Sequence, residues 1–302
     1  VTTETCAPAT HRRPERTKSF EAGLNAKFLG NKIWADFTYY NTATYNQLFL
    51  YDAPPSTGYK QAYLNAGKVN NWGIEAVVGY KNTWSGFSWS TNVNFSMNRN
   101  KIKELVPEGT IDPVTGAVVS IPEINMDYGG YRVKLRKGGS IGDFYVTGLK
   151  TDDKGEIYVD PNSSAVTTDP DTWIYAGNTE ARFRLGWNNQ FSYKGLNLGV
   201  LVDARIGGRG VSVTQALMDR FGVSEASVEA REKGVRLSDK QVLPNSGAKD
   251  FFNNSGDGMG MLARYVYDMD NVRLRELSLG YDLPSRWFKN KMQATVSLVG
   301  RN

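Results

Sequence analysis

Apolar and polar residues alternate with period two along most of this chain. The pattern opens at Phe20, Ala22, Leu24, Ala26 and Phe28, which are separated by Glu21, Gly23, Asn25 and Lys27. Such alternation marks a strand with one apolar and one polar face. Gly30 and Asn31 tolerate positive φ and suit a tight turn, after which Ile33, Ala35, Phe37 and Tyr39 alternate with Trp34, Asp36 and Thr38. This hairpin sets Phe28 opposite Ile33, Leu24 opposite Phe37 and Asn25 opposite Asp36, so the two faces agree across it. The unit recurs three times. Trp72–Tyr80 and Phe87–Met97 flank a turn at Trp84-Ser85-Gly86, and Phe183–Tyr193 and Leu196–Ile206 flank Lys194-Gly195. A fourth hairpin runs from about Val272 to Asp282, turns through Leu283–Asn290 and returns with Met292, Ala294, Val296 and Leu298. Eight strands are predicted.

The connections between them alternate strictly between short and long. The hairpin turns take only a few residues, whereas the joining segments run roughly from Tyr45 to Asn71, Arg99 to Ala181 and Gly207 to Asn271. Loops beyond about 15 residues are uncommon in compact soluble domains. Membrane barrels, in contrast, have short turns at one rim and long loops at the other, with strands of about 9–11 residues or more. The pattern predicts an all-β chain, an antiparallel segment of a transmembrane β-barrel with long extracellular loops. A soluble all-β carbohydrate-binding module is the competing reading; it would show loops of comparable length at both ends.

Composition narrows the chemistry. Hydrophobic residues make up 40% of the 302, with 13 Phe, 7 Trp and 16 Tyr, which excludes a disordered chain. Mean hydropathy is −0.45, and no apolar run reaches the roughly 18–20 residues of a spanning helix. The net charge of +5 comes from interspersed 36 Lys and Arg against 31 Asp and Glu, not the blocks of a nucleic-acid surface. Cys6 and His11 are the only residues of their types, so no disulfide framework, multi-histidine metal centre or cofactor is expected. The N-terminus carries no visible targeting signal, and Ser297–Asn302 stops inside a strand pattern. The chain is therefore expected to be a fragment of a longer protein.

Candidate sites are few. Gly138-Gly139-Ser140-Ile141-Gly142 matches a nucleophile-elbow pattern, but Asp143–Thr147 reads as extended and the single histidine, His11, lies in the terminal segment, so no enzyme is expected. Asp152-Asp153-Lys154-Gly155-Glu156 lacks calcium-loop spacing and reads as a turn, as do Asp112–Gly116 and Asp160–Asn162. Ser224 caps a predicted helix through Lys233, stopped by Gly234, and Ser212–Phe221 suits another. The stretch Asn253–Gly258 is expected to be mobile. Trp84, Phe87, Tyr193, Trp287 and Phe288 sit at short-turn ends, where a barrel carries an aromatic girdle. The loop aromatics Tyr59, Tyr63, Tyr128, Tyr131, Trp173 and Tyr175 suit stacking on a substrate. The third hairpin's register sets Arg184 opposite Arg205 with Asp203 diagonal, so this face is expected to meet water, an acidic surface or another domain.

Five segments carry a family resemblance: Pro14–Leu24, Phe37–Asn41, Asn65–Glu75, Phe95–Leu105 and Asn271–Pro284. In this order they resemble consecutive barrel segments of the SusC/RagA family of TonB-dependent outer-membrane transporters. The resemblance implies about 8 strands of a 22-stranded barrel over residues 17–302, with residues 1–16 atypical and the plug, TonB box and closing strands absent. It implies residence in the bacterial outer-membrane lipid and import of oligosaccharides or peptides with a SusD-like lipoprotein. TonB would act through the missing N-terminal region, and no nucleic acid is involved. Apolar rows would face lipid, while Asp36, Glu75, Arg182, Arg184, Asp203 and Arg205 would face the lumen or plug. By itself such a piece would have open strand edges in lipid and is not expected to transport.

Overall fold

The computed structural model describes residues 6–7, 14–52, 58–65, 67–107, 109–111, 116–118, 121–162, 166–256, 260 and 262–302. Its frame is one sheet of eight strands in chain order: β1 (Arg16–Phe28), β2 (Ile33–Tyr45), β3 (Lys68–Trp84), β4 (Phe87–Glu104), β5 (Phe183–Tyr193), β6 (Leu196–Ile206), β7 (Asn271–Leu283) and β8 (Ala294–Arg301). Every neighbouring pair is antiparallel, so the sheet is a meander with β1 and β8 at its edges.

Register follows the alternation. Phe28 pairs with Ile33, Leu24 with Phe37 and Asn25 with Asp36, and Arg184 pairs with Arg205. The tight turns use left-handed backbone at Leu29, Gly30 and Asn31, at Ser85 and Gly86, and at Lys194 and Gly195, which matches the twist of the flanking strands. The apolar face is open: Phe20, Leu24, Val78, Trp187 and Leu298 are all exposed. At its turn end Trp84 stacks on Phe87 at 6.2 Å, Phe87 on Phe191 at 6.3 Å, and Trp89 on Phe191 at 6.2 Å. Tyr193 and Trp287 are exposed at the same rim.

The structure corrects the strand ends. β3 and β4 continue to Lys68 and Glu104, pairing Asn71 with Asn100 and Asn70 with Lys101 in a region the pattern assigns to loops. The apolar pair there, Val69 with Ile102, falls on the row that is polar along the rest of the sheet, so the alternation of the barrel strands no longer marks it. At the last hairpin β8 begins at Ala294 rather than Met292, after a 3₁₀ turn at Ser285–Phe288 and left-handed Lys289 and Asn290.

The long segments hold more order than the sequence predicts. Leu48–Asp52 pairs with Gln61–Asn65 in the first, and Cys6–Ala7 runs parallel to the latter. The second folds into its own four-stranded antiparallel sheet of Glu123–Asp127, Tyr131–Arg136, Asp143–Leu149 and Thr168–Asn178. The third carries helices α1 (Val213–Arg220), α2 (Glu225–Lys233) and α3 (Ala248–Ser255). Ser212 caps α1 and Ser224 caps α2, each accepting a backbone N–H, and Gly234 closes α2 at φ 77°, as predicted. Asn253–Ser255, expected to be mobile, are the last turn of α3, because Phe251 and Phe252 bury that helix; Asp257 and Gly258 lie outside the described residues. So do His11 and most of the Asp112–Gly116 turn. Asp152 accepts the N–H groups of Lys154 and Glu156, both at 2.9 Å, and Asp160 that of Asn162 at 2.8 Å, which makes both segments side-chain-closed turns.

The hydrophobic cores gather at the long-loop end. One joins Val166 to Ala230, Leu243, Phe251 and Phe252, and a second joins Phe144 and Val146 to Ala216, Leu262 and Tyr265. Both mix residues of the second and third long segments, which therefore form one cap. A buried polar knot ties it: Tyr265 donates to Asp219 at 2.9 Å and lies 3.1 Å from Ser255 Oγ. Burial pushes the Tyr265 hydroxyl above its ordinary range, and Asp219 reinforces the shift.

Candidate functional site

The cap is fastened to the polar face of the barrel sheet. Val69 and Ile102, at the loop ends of β3 and β4, pack with Leu105, Ile124 and Leu135 of the second long segment. Ile102 exchanges backbone hydrogen bonds with Gly138 and Gly139, at 2.7 and 2.9 Å. Asn100 Oδ1 accepts from Ser140 Oγ at 2.6 Å and from the Ile141 N–H at 2.8 Å. The Gly138–Gly142 motif thus anchors a loop. Its serine is engaged by an amide, and Asp143 beyond it opens a buried strand. Sequence reasoning singled out these residues for chemistry and missed this role; no periodic signal links Asn100 to a turn 40 residues away.

One face of the four-stranded loop sheet is apolar and packs into these cores. The other is a ladder of charge and aromatic rings. Arg132 forms a two-bond ion pair with Asp127 and lies 4.0 Å from the ring centre of Trp173. Lys134 pairs with Glu123 at 3.1 Å and sits 4.9 Å from the Tyr145 ring. Arg136 reaches Tyr145 at 6.0 Å. Tyr175 meets Tyr145 edge-on at 5.3 Å and donates to Asp143 at 3.2 Å. Burial raises the Tyr175 hydroxyl's pKa, with the Asp143 charge adding to it. Burial works against ionised Glu123, but the Lys134 and Asn125 hydrogen bonds and the Lys134 and Arg132 charges outweigh it and hold the carboxyl below its usual range.

The six loop aromatics therefore separate. Trp173 and Tyr175 share the polar face of this sheet. Tyr128 and Tyr131 stack at 5.1 Å at the turn between its first two strands, with Tyr131 against the apolar core. Tyr59 and Tyr63 belong to the first long segment. Arg132, Lys134, Arg136 and Tyr145 were passed over, although Tyr131–Arg136 alternates as cleanly as the barrel strands.

The polar face of the barrel sheet divides along its height. Near the short turns a concavity of about 860 Å³ is lined by hydroxyls, including Ser88, Ser90, Ser192, Ser278 and Ser297. Halfway up, charges replace them. Asp36 accepts from Asn25 at 2.9 Å. Glu75, Ser96, Arg184 and Arg205 form one row across four strands, and Arg182 immediately precedes β5. Asp203 is held by Arg273 at 3.2 Å and Arg275 at 3.4 Å. The sequence analysis missed those partners because a bulge between Leu201 and Val202 shifts the register of β7. Asp36, Glu75, Arg184, Asp203 and Arg205 lie on this face, and Arg182 adjoins it.

The family model described as TonB dependent receptor-like, beta-barrel matches residues 12–207. The chain belongs to this family. It is 27% identical over 297 residues to TonB-dependent receptor P3 of Formosa agariphila, covering 94% of the chain and 29% of that protein. TonB-dependent receptor P26 of the same organism is 24% identical, with 95% of the chain and 30% of the relative covered. Among solved structures, the RagAB peptide importer in its open-open state superposes at a TM-score of 0.69 with 19% identity, over 99% of this chain and 32% of that one. Its closed-closed state gives 0.65 and 18%, over 95% and 31%. This TonB-dependent receptor chain spans under a third of the length of these relatives. It is a β-barrel chain of a family of outer-membrane receptors.

Proposed function

We propose that the chain is the barrel portion, residues 17–302, of a SusC/RagA-type importer that takes up oligosaccharides or peptides with a SusD-like surface lipoprotein. The observation that carries this is the division of one sheet into a continuous apolar face and a polar face, with every long segment at one rim and a family match running through it. On this reading the apolar rows meet outer-membrane lipid in a 22-stranded barrel. Asp36, Glu75, Arg182, Arg184, Asp203 and Arg205 face its lumen or plug. The aromatic ladder with Trp173 and Tyr175, and Tyr59, Tyr63, Tyr128 and Tyr131 around the rim, contact substrate or lipoprotein. Import is by binding and gating, energised through TonB, with no bond chemistry. The fold likeness to structures described as a peptide importer supports this reading.

An antibody to residues 160–171, used on fractionated native cells, tests it. The expected species is extracted from outer membrane only by detergent, is far heavier than 33.6 kDa and brings a lipoprotein with it. A water-soluble species without membrane association would overturn the proposal.

A further inference from the structure

The outward, apolar face of the barrel sheet ends in a belt of cations at its long-loop rim. The period of two that turns Phe20 and Leu24 outward on β1 turns Arg16 and Lys18 outward as well. Register carries the same face to Tyr45 on β2, to Lys68 and Trp72 on β3, and to Arg99 and Lys101 on β4. The contacts agree with the count: the Tyr45 ring centre lies 4.9 Å from Lys68 Nζ and 5.8 Å from Lys18 Nζ. Arg16, Lys18 and Lys101 are exposed, and Lys68 and Arg99 are half-buried.

Among the described residues none of these five cations is in an ion pair. Arg99 spends one nitrogen on the Asn98 and Ala181 carbonyls, at 2.9 and 3.4 Å. Two carboxylates are close in sequence. Glu15 falls on the opposite parity to Arg16 and accepts the Leu48 N–H at 2.9 Å. Glu104 stands opposite Lys68 at a bulge without pairing with it. Over β5–β7, in contrast, the outward face stays apolar up to Phe183, Ile206 and Val272. The charge is therefore gathered on one flank, where like charges on neighbouring strands repel unless something outside the chain balances them.

The height of the belt says what that is. On β4, Arg99 lies 12 residues beyond Phe87, one of the girdle rings at the short turns. That is about 40 Å of strand at ~3.3 Å per residue, and a tilt of about 35–45° leaves roughly 28–33 Å of height. A bilayer's hydrocarbon core is about 30 Å thick. The belt is thus level with the headgroups of the opposite leaflet, with the exposed rings of Phe20 and Trp72 on its apolar side. Anionic lipid attracts each Lys or Arg held at that depth, and guanidinium forks match phosphate oxygens.

We propose that Arg16, Lys18, Lys68, Arg99 and Lys101 hold the phosphate groups of an outer-leaflet lipid, whose acyl chains lie over Phe20, Leu24 and Trp72. The inference rests on the membrane orientation of the importer reading and adds a lipid partner to it.

The test is native mass spectrometry of the intact receptor in detergent, titrated with phosphatidate and with phosphatidylcholine of the same acyl chains. Phosphatidate should bind at least about fivefold more tightly, and more weakly as salt rises, since one cation near an anionic lipid corresponds to roughly a fivefold change in affinity. The variant K18Q/K68Q/K101Q should lose that preference. The variant K32Q/K194Q/K291Q, with the same loss of charge at the short-turn rim, should keep it. Outer-membrane level and heat-dependent gel mobility check folding, and K101Q alone, which changes one exposed side chain, should lose part of the preference. Equal binding of the two lipids overturns the proposal, as does an unchanged preference in K18Q/K68Q/K101Q. Displacement of phosphatidate by equimolar inorganic phosphate would show a free-anion site and overturn the lipid as occupant. Loss of a co-purifying lipoprotein from K18Q/K68Q/K101Q, with phosphatidate retained, would make the belt a protein-docking surface and also overturn it. A receptor that needs detergent yet binds both lipids equally loses only the lipid site, whereas one that is soluble without detergent loses the membrane reading as well.

Discussion

Trp34 and Tyr40 lie flat on the polar face of β2, each over a glycine of β3. Their register partners are Gly79 and Gly73, and a Cβ on either glycine would collide with the ring above it. The missing side chains are thus seats for aromatic rings, which restore the packing that a glycine forfeits in a strand. Gly79→Ala should destabilise the barrel by about 1–3 kcal/mol, the usual cost of overpacking. Adding Trp34→Ala should recover part of that, because the two changes share one contact; urea unfolding in lipid vesicles would show either result. On the opposite face, Lys or Arg at Val78, Leu185 or Val200 should cost about 2–4 kcal/mol near the bilayer midplane. Near-neutral values by the same measurement would contradict the membrane orientation. Both faces were legible from alternation, but the ring-on-glycine contacts needed the register of two strands separated by a long segment.

At the scale of elements, the hairpins and the cap differ in what holds them. A hairpin is set by a turn and a period, and the three tight turns take the left-handed conformations their glycines favour. The loop sheet depends on ion pairs and on its anchor at Asn100. Its Glu123 carboxyl has a lowered pKa in the fold, so the Lys134 pair contributes stability above the ordinary carboxylate range. That contribution fades as pH falls through the lowered value. Protease cleavage of the second long segment should therefore quicken on acidification through that range, and less so in Glu123→Gln, which has no carboxylate to protonate. An equal acid response in the variant would locate the sensitivity elsewhere. Ser224, Ser212 and Gly234 announced their helices by capping chemistry. Of the loop strands only Asp143–Leu149 was legible, through its extended stretch Asp143–Thr147.

The whole molecule is polarised: its packed cores lie at one end of the sheet and its short turns at the other. Single cysteines on a Cys6→Ser background test that polarity in intact cells. A cysteine at the exposed Asp153 should react with a membrane-impermeant maleimide, whereas one at Lys194, in the β5–β6 turn, should react only after lysis; the reverse would invert the topology. By itself the sequence determined the eight strands, their pairing within each hairpin, which face each residue takes, the asymmetry of the connections and the family resemblance. Those follow from a period of two and from turns a few residues long, which are local quantities. Only the tertiary structure decided that two long segments share one cap, that Gly138–Ile141 fastens it to Asn100 and Ile102, and that Asp203 is held by Arg273 and Arg275. Those contacts join residues tens of positions apart through packing and a β-bulge, and neither leaves a periodic trace in the chain.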